Sequence, residues 1–119
     1  MNILIVDDNK SITSSLSKYL NYKKMDCTVI NDGKDTLSLI SNNSFDVLIL
    51  DLAMSGFSGF SVLEELEKED LLKSTNIIVL TATPITHREE DLLKRYGVKE
   101  IMKKPADMTS LIKILEIYA

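Results

Sequence analysis

The chain of 119 residues contains few of the residues that mark disulfide-rich or disordered proteins: one cysteine, two prolines, four glycines and no tryptophan. A single cysteine cannot form a disulfide within the chain. Cys27 lies in the apolar run CTVI, which favours a buried thiol and a reducing compartment. The low proline and glycine contents argue against disorder and against a low-complexity linker. The composition therefore predicts one globular domain over residues 1–119.

The sequence also lacks a long hydrophobic run and a concentration of basic residues. Its apolar runs are short, and its N-terminus does not have the basic and then apolar order of a signal peptide. The 14 basic residues are outnumbered by 18 acidic residues, which gives a formal net charge of -4. Proteins that bind nucleic acids through phosphates need a basic surface. We therefore expect a cytoplasmic protein that binds neither nucleic acid nor membrane directly.

Five short β-type runs alternate with segments of helical spacing. The runs are NILIV (2–6), CTVIN (27–31), DVLIL (46–50), NIIVL (76–80) and VKEIM (98–102). In the first intervening segment, Ile12, Leu16 and Leu20 share one helical face. Gly97 is a predicted helix C-cap and Asp107 a predicted N-cap. This alternation predicts an α/β fold, a doubly wound parallel sheet with helices on both faces.

Polar residues follow four of the five predicted strands at their carboxyl ends: Asp7, Asp8, Asp51, Thr81 and Lys104. In a parallel sheet these ends share one edge, and ligands bind outside that edge. The second strand ends in Asn31 and Asp32 before a glycine. We interpret that pair as turn residues, because an outer strand would point them away from the others. The sequence therefore predicts a polar site with three carboxylates.

Three carboxylates in one site repel each other by about 4 kcal/mol per close pair at an effective dielectric constant near 20. A cation is needed to offset this repulsion. Ligands that are all oxygen atoms suit a hard divalent ion, and Mg²⁺ accepts one or two carboxylates together with waters and phosphate oxygens. Lys104 supplies a second positive charge and Thr81 a hydroxyl group. The set favours phosphoryl transfer with a carboxylate as the nucleophile.

Four motifs occur together along the chain: VDD at 6–8, LDLAMSGFSG at 50–59, TAT at 81–83 and KP at 104–105. In this order and near this spacing they resemble the receiver domain of two-component response regulators. The resemblance extends from the first strand to the last helix. The chain is similar to the single-domain, chemotaxis-regulator-like members of the family. It implies a flavodoxin-like (βα)5 fold with a five-stranded sheet in the order 2-1-3-4-5.

The resemblance also implies a magnesium site. Asp8 would bind Mg²⁺ directly and Asp7 largely through water. Asp51 and the backbone carbonyl of Ala53 would complete the protein's share of the ligands.

The same resemblance implies the phosphoryl chemistry. Asp51 would be the phosphoacceptor, and Thr81 would hydrogen-bond a phosphoryl oxygen and so report phosphorylation. Lys104 would pair with the phosphoryl group, held by a cis Lys104–Pro105 bond.

The expected donor is a sensor histidine kinase or a histidine phosphotransfer protein, and the expected target is an unknown downstream protein. Such a protein is a switch and not an enzyme, because it promotes only its own aspartyl phosphorylation and dephosphorylation. Since no residues follow the last predicted helix, we expect its output to be protein–protein interaction.

Three positions depart from the pattern of the family. Ser55 replaces the proline that is usual in the loop after the phosphoacceptor, and Ala106 replaces a common aromatic residue. Ile101 stands where many receivers carry a tyrosine or phenylalanine that turns inward on activation. The usual aromatic switch therefore cannot operate here as such.

Three alternatives remain open from the sequence. An aspartyl-nucleophile phosphohydrolase usually has a second acid two residues after the nucleophile, and here that residue is Ala53. An unphosphorylated pseudo-receiver is disfavoured by the intact acids and lysine. A flavin carrier shares the architecture, but the carboxylates at the strand ends would repel the phosphate of the flavin.

Overall fold

Five parallel strands form one sheet in the computed structural model, which describes residues 1–118. Their order is β2-β1-β3-β4-β5, so the predicted fold class and strand order are confirmed. The strands are β1 (Asn2–Val6), β2 (Asp26–Ile30), β3 (Val47–Asp51), β4 (Asn76–Thr81) and β5 (Glu100–Lys103). In the register of the sheet, Ile49 lies between Ile5 and Ile78.

Five α-helices connect or follow the strands: α1 (Lys10–Tyr22), α2 (Thr36–Asn42), α3 (Gly59–Lys68), α4 (His87–Tyr96) and α5 (Met108–Ile117). A short 3₁₀ helix (Gly33–Asp35) precedes α2. Within residues 1–118, every helix is too short or too polar to cross a lipid bilayer.

The core consists of two apolar layers, one on each face of the sheet. On one face Ile5 and Ile49 pack with Leu16 of α1 and Leu111 of α5. On the other face residues such as Leu48 pack with buried side chains of α3 and α4. Because successive strand residues point to opposite faces, the central strands β1, β3 and β4 must be apolar at nearly every position. This requirement explains the continuous apolar runs of the sequence.

The helix ends follow the predicted capping residues. Gly97 ends α4 with a φ of 86°, a left-handed conformation that glycine adopts without strain. The side chain of Asp107 accepts a hydrogen bond from the Thr109 amide at the start of α5. Gly97 thus ends α4 before the chain enters β5, and Asp107 begins α5 after the loop that follows the carboxyl end of β5.

Cys27 is less buried than the sequence predicts. It lies on β2, which is an edge strand, and it is half-buried against the layer that contains α1. Burial, together with the charge of Asp26, raises the pKa of the Cys27 thiol to about 11. The thiol is therefore protonated at neutral pH, and it takes no part in the site described below.

Candidate functional site

The carboxyl edge of the sheet brings the predicted polar residues together. Asp7 and Asp8 follow β1, Asp51 ends β3, Thr81 ends β4, and Lys104 follows β5. Asp7, Asp51 and Thr81 are buried, whereas Asp8 is exposed. The apolar strands beneath these residues fix their positions, because neighbouring strands hold a defined register.

The three acids form one cluster. One carboxylate oxygen from each of Asp7, Asp8 and Asp51 lies within 4.8 Å of the other two. All of these donors are oxygen atoms, which fits a hard divalent cation such as Mg²⁺. The backbone of Ala53 lies beside the cluster, since its N–H donates to Oδ1 of Asp51 at 3.3 Å. The chemistry of the donor set is therefore compatible with the predicted magnesium site.

Lys104 forms ion pairs with two of the three acids. Its Nζ lies 2.5 Å from Oδ2 of Asp7 and 3.3 Å from Oδ1 of Asp51. It also donates a hydrogen bond to Asp7. The peptide bond between Lys104 and Pro105 is cis, as the family resemblance implies. The lysine thus offsets part of the repulsion within the cluster and leaves an excess of negative charge that a divalent cation can balance.

The environment of the cluster changes the pKa values of Asp51 and Lys104. Burial raises the pKa of Asp51 above its ordinary value, and the charge of Asp7 raises it further, while Lys104 and the Ala53 amide act in the opposite direction. Burial alone would lower the pKa of Lys104, but the hydrogen bond to Asp7 and the charge of Asp51 raise it overall. Lys104 therefore stays charged at neutral pH, and the ionised form of Asp51 is less favourable than in water.

The hydroxyl group of Thr81 is held within its own turn. Its Oγ1 donates to the carbonyl of Thr83 at 3.2 Å and accepts from the Thr83 amide at 3.3 Å. The carbonyl of Thr81 accepts from the Lys104 amide at 2.9 Å, which joins the end of β4 to the segment after β5. To contact a group bound at Asp51, the hydroxyl must exchange its bond to Thr83 for a new one.

The loop after β3, residues 52–58, is fastened to the acid cluster. The Ala53 amide donates to Asp51, and the Ser55 amide donates to Oδ2 of Asp8 at 3.0 Å. Gly59 begins α3 directly against the strand, because a Cβ atom at this position would lie 2.4 Å from the carbonyl oxygen of Asp51. A residue other than glycine would therefore displace the loop or the strand that carries Asp51.

The prediction that Asn31 points away from the other polar residues was wrong. Its side-chain amide donates to the backbone carbonyl of Asp7 at 2.8 Å and to Oγ1 of Thr13 at 3.1 Å. Because β2 pairs with β1, with Ile30 opposite Val6, the residue after β2 lies beside the residue after β1. The predicted strand order already places β2 beside β1, so it implies that Asn31 lies near Asp7. Asn31 therefore supports Asp7, whereas Asp32 caps the 3₁₀ helix through the Lys34 amide.

Comparison with known proteins identifies the same family over nearly the whole chain. Residues 3–116 match the family model described as the response regulator receiver domain. The response regulator SaeR of Staphylococcus aureus strain USA300 is 30% identical over 111 residues, which cover 93% of this chain and 47% of SaeR. The chain thus spans about half the length of the curated relatives that it matches.

Solved structures agree in fold. The receiver domain of the Francisella response regulator 1452 is 32% identical, with a TM-score of 0.86 over 98% of this chain and 94% of that chain. The chemotaxis protein CheY4 of Vibrio cholerae is 26% identical, with a TM-score of 0.87 over 99% and 98% of the two chains. The response regulator TrrA of Thermotoga maritima, solved in complex with Mg²⁺ and BeF, is 28% identical, with a TM-score of 0.83 over 99% and 98%.

Proposed function

The chain belongs to the response regulator receiver family, and we propose that it is a switch in which Asp51 accepts a phosphoryl group from phosphohistidine. Receiver domains are signalling switches that histidine kinases phosphorylate, and they bind Mg²⁺ in an acidic pocket. The observation that carries the proposal is the arrangement around Asp51: a buried carboxylate in contact with a partly buried lysine and grouped with two more acids. We propose that residues 1–119 form one receiver domain.

In the proposed reaction, the acids and one backbone carbonyl bind the metal, and Asp51 and Lys104 contact the phosphoryl group. The carboxylates of Asp7, Asp8 and Asp51 and the carbonyl of Ala53 would hold Mg²⁺, which supplies positive charge for the phosphoryl oxygens. The contacts that the described residues make to the Asp51 carboxylate go to Oδ1. Oδ2 is therefore the proposed attacking atom: it forms the O–P bond as the N–P bond of the donor histidine breaks. Lys104 then pairs with the transferred group.

The proposed partners are a sensor histidine kinase or a histidine phosphotransfer protein as donor, and an unidentified protein as the downstream target. The net charge of -4 supports an output that does not bind nucleic acid directly. The cytoplasmic location remains a prediction from the sequence.

Incubation with acetyl phosphate and Mg²⁺ tests the proposed function. We expect the intact mass to increase by one phosphoryl group, and peptide mapping after reduction with borohydride to locate the modification at Asp51. Chelation of the metal with EDTA should prevent the increase, because the developing charge is then not offset. Incorporation that is unaffected by EDTA, or that maps to another residue, would contradict the proposal.

Replacing Thr81 with alanine should uncouple the loop after β4 from phosphorylation. The variant loses the hydroxyl that exchanges Thr83 for a phosphoryl oxygen, while the acids are unchanged. We expect Mg²⁺ binding to persist and the chemical-shift changes that beryllofluoride produces in residues 82–103 to fall by at least half.

The matched control is Thr81→Ser, which keeps the hydroxyl and should retain most of the response. If the shift changes in Thr81→Ala equal those of the wild type, Thr81 does not report phosphorylation in this protein.

A further inference from the structure

One hydrogen bond joins the loop of residues 52–58 to the exposed acid of the cluster. The backbone N–H of Ser55 donates to Oδ2 of Asp8 at 3.0 Å, although the two residues are 47 positions apart in the sequence. The carbonyl of Ser55 in turn accepts from the Phe57 amide at 3.0 Å. The contact therefore links the segment after β1 to the loop after β3 across the opening of the site.

Among residues 1–118, the carboxylate of Asp8 has fewer polar partners than the carboxylates of Asp7 and Asp51. Lys104 lies within ion-pair distance of Asp7 and Asp51, and among residues 1–118 no ion pair is formed by Asp8. Asp7 also accepts from the Asn9 amide. Among residues 1–118, the carboxylate of Asp8 accepts a single hydrogen bond, from the Ser55 amide.

The identity of residue 55 makes this hydrogen bond possible. Proline has no backbone N–H, and proline is the residue that the family pattern places at this position. With serine, the loop can donate to the carboxylate, and a hydrogen bond to an ionised acceptor is stronger than one between neutral groups. The departure from proline therefore adds a contact to a residue of the acid cluster, in addition to its effect on the rigidity of the loop.

We infer that the Ser55 amide is a positioning group that competes with the divalent cation for Asp8, so that metal binding releases the loop of residues 52–58. An N–H group and a cation are both held by the negative charge of the carboxylate, and each weakens the binding of the other. The competition lowers the affinity for the metal. It also makes the conformation of the loop depend on whether the metal is bound. This inference rests on the magnesium site of the proposed function.

The first test compares Ser55→Pro, which removes the N–H, with Ser55→Ala, which keeps it. Titration calorimetry with MgCl₂ should show about tenfold tighter binding for Ser55→Pro, the factor expected for the loss of one hydrogen bond to a charged group. Ser55→Ala should bind Mg²⁺ as the wild type does. In an Asp8→Asn background, Ser55→Pro should give no comparable increase in affinity, because the competing contact no longer involves a charge.

A second measurement uses the wild type alone and does not depend on the folding of a variant. In the metal-free protein the Ser55 amide should be protected from solvent exchange, and Mg²⁺ should reduce this protection and shift its NMR signal. The Lys34 amide is the control, since it donates to the carboxylate of Asp32 at 3.0 Å outside the acid cluster. Its signal and exchange rate should stay unchanged.

Three results would overturn the inference: equal or weaker Mg²⁺ binding by Ser55→Pro, an equal gain in the Asp8→Asn background, or a Ser55 amide that does not respond to Mg²⁺. If the wild type itself shows no Mg²⁺ binding, the proposed function fails as well. Normal binding by the wild type with an unresponsive Ser55 contradicts only the role of the hydrogen bond.

Discussion

Asp51→Asn is expected to abolish phosphoryl incorporation and to raise the melting temperature of the metal-free protein at pH 7. The amide is close in size to the carboxyl group but cannot form the acyl phosphate. Burial and the charge of Asp7 raise the pKa of Asp51, so the ionised side chain is less stable in the folded protein than in the unfolded chain. A gain of about 1 kcal/mol corresponds to an increase of roughly 4 °C in a domain of this size.

The dependence on pH follows from the direction of this shift. A carboxyl group whose pKa is higher in the folded state binds its proton more tightly there, so it favours folding at low pH and loses this contribution as pH rises through the folded pKa. The advantage of Asp51→Asn should therefore be largest at neutral pH. It should shrink as the pH falls toward 3.8, the ordinary pKa of the carboxyl group. Differential scanning calorimetry between pH 7 and pH 4 measures this trend.

Asp107→Asn is the matched control, because the hydrogen bond from Ser110 lowers the pKa of Asp107 and its charge therefore favours the folded state. This exposed variant should give no increase in stability at pH 7. A lower melting temperature for Asp51→Asn at pH 7 would show that the charge of Asp51 does not destabilise the folded protein. Phosphorylation of this variant at the rate of the wild type would show that Asp51 is not the acceptor.

The sheet was predictable because its central strands are buried on both faces. DVLIL and NIIVL must be apolar at successive positions to fill two layers, and no exposed strand or amphipathic helix has that requirement. The position of the acids then follows from topology, since parallel strands end at one edge. For this reason Asp7, Asp51 and Lys104 could be placed together before any contact was known.

The contacts within the site could not be predicted in the same way. The hydrogen bond from Ser55 to Asp8 depends on the backbone path of a loop, and no periodic pattern encodes that path. The support of Asp7 by Asn31 was missed for a different reason. The sequence prediction for Asn31 rests on the position of β2 at the edge of the sheet, whereas its contact depends on the pairing of β2 with β1. Strand pairing and burial determine positions, whereas the pairing of donors and acceptors needs the geometry of the loops.

Asp8→Asn is expected to weaken Mg²⁺ binding by about a hundredfold, roughly 2.7 kcal/mol, because a neutral amide replaces a charged ligand of a divalent cation. Among residues 1–118, no lysine lies within ion-pair distance of Asp8, so no cationic side chain offsets its charge before the metal binds. A ligand that binds only the folded state stabilises that state by RT ln(1 + [L]/Kd), where [L] is the free ligand concentration. Millimolar Mg²⁺ should therefore raise the melting temperature of the wild type and leave that of Asp8→Asn nearly unchanged.

The matched control for this experiment is Asp32→Asn, an aspartate that follows β2, caps the 3₁₀ helix and lies outside the acid cluster. Asparagine also caps helices well, so this variant should keep both its stability and the full response to Mg²⁺. In the absence of metal, Asp8→Asn relieves part of the repulsion with Asp7 and Asp51 and should melt no lower than the wild type. A variant that melts normally and still responds fully to Mg²⁺ would remove Asp8 from the metal ligands. Asp7, Asp51 and the Ala53 carbonyl would then have to hold the cation without it.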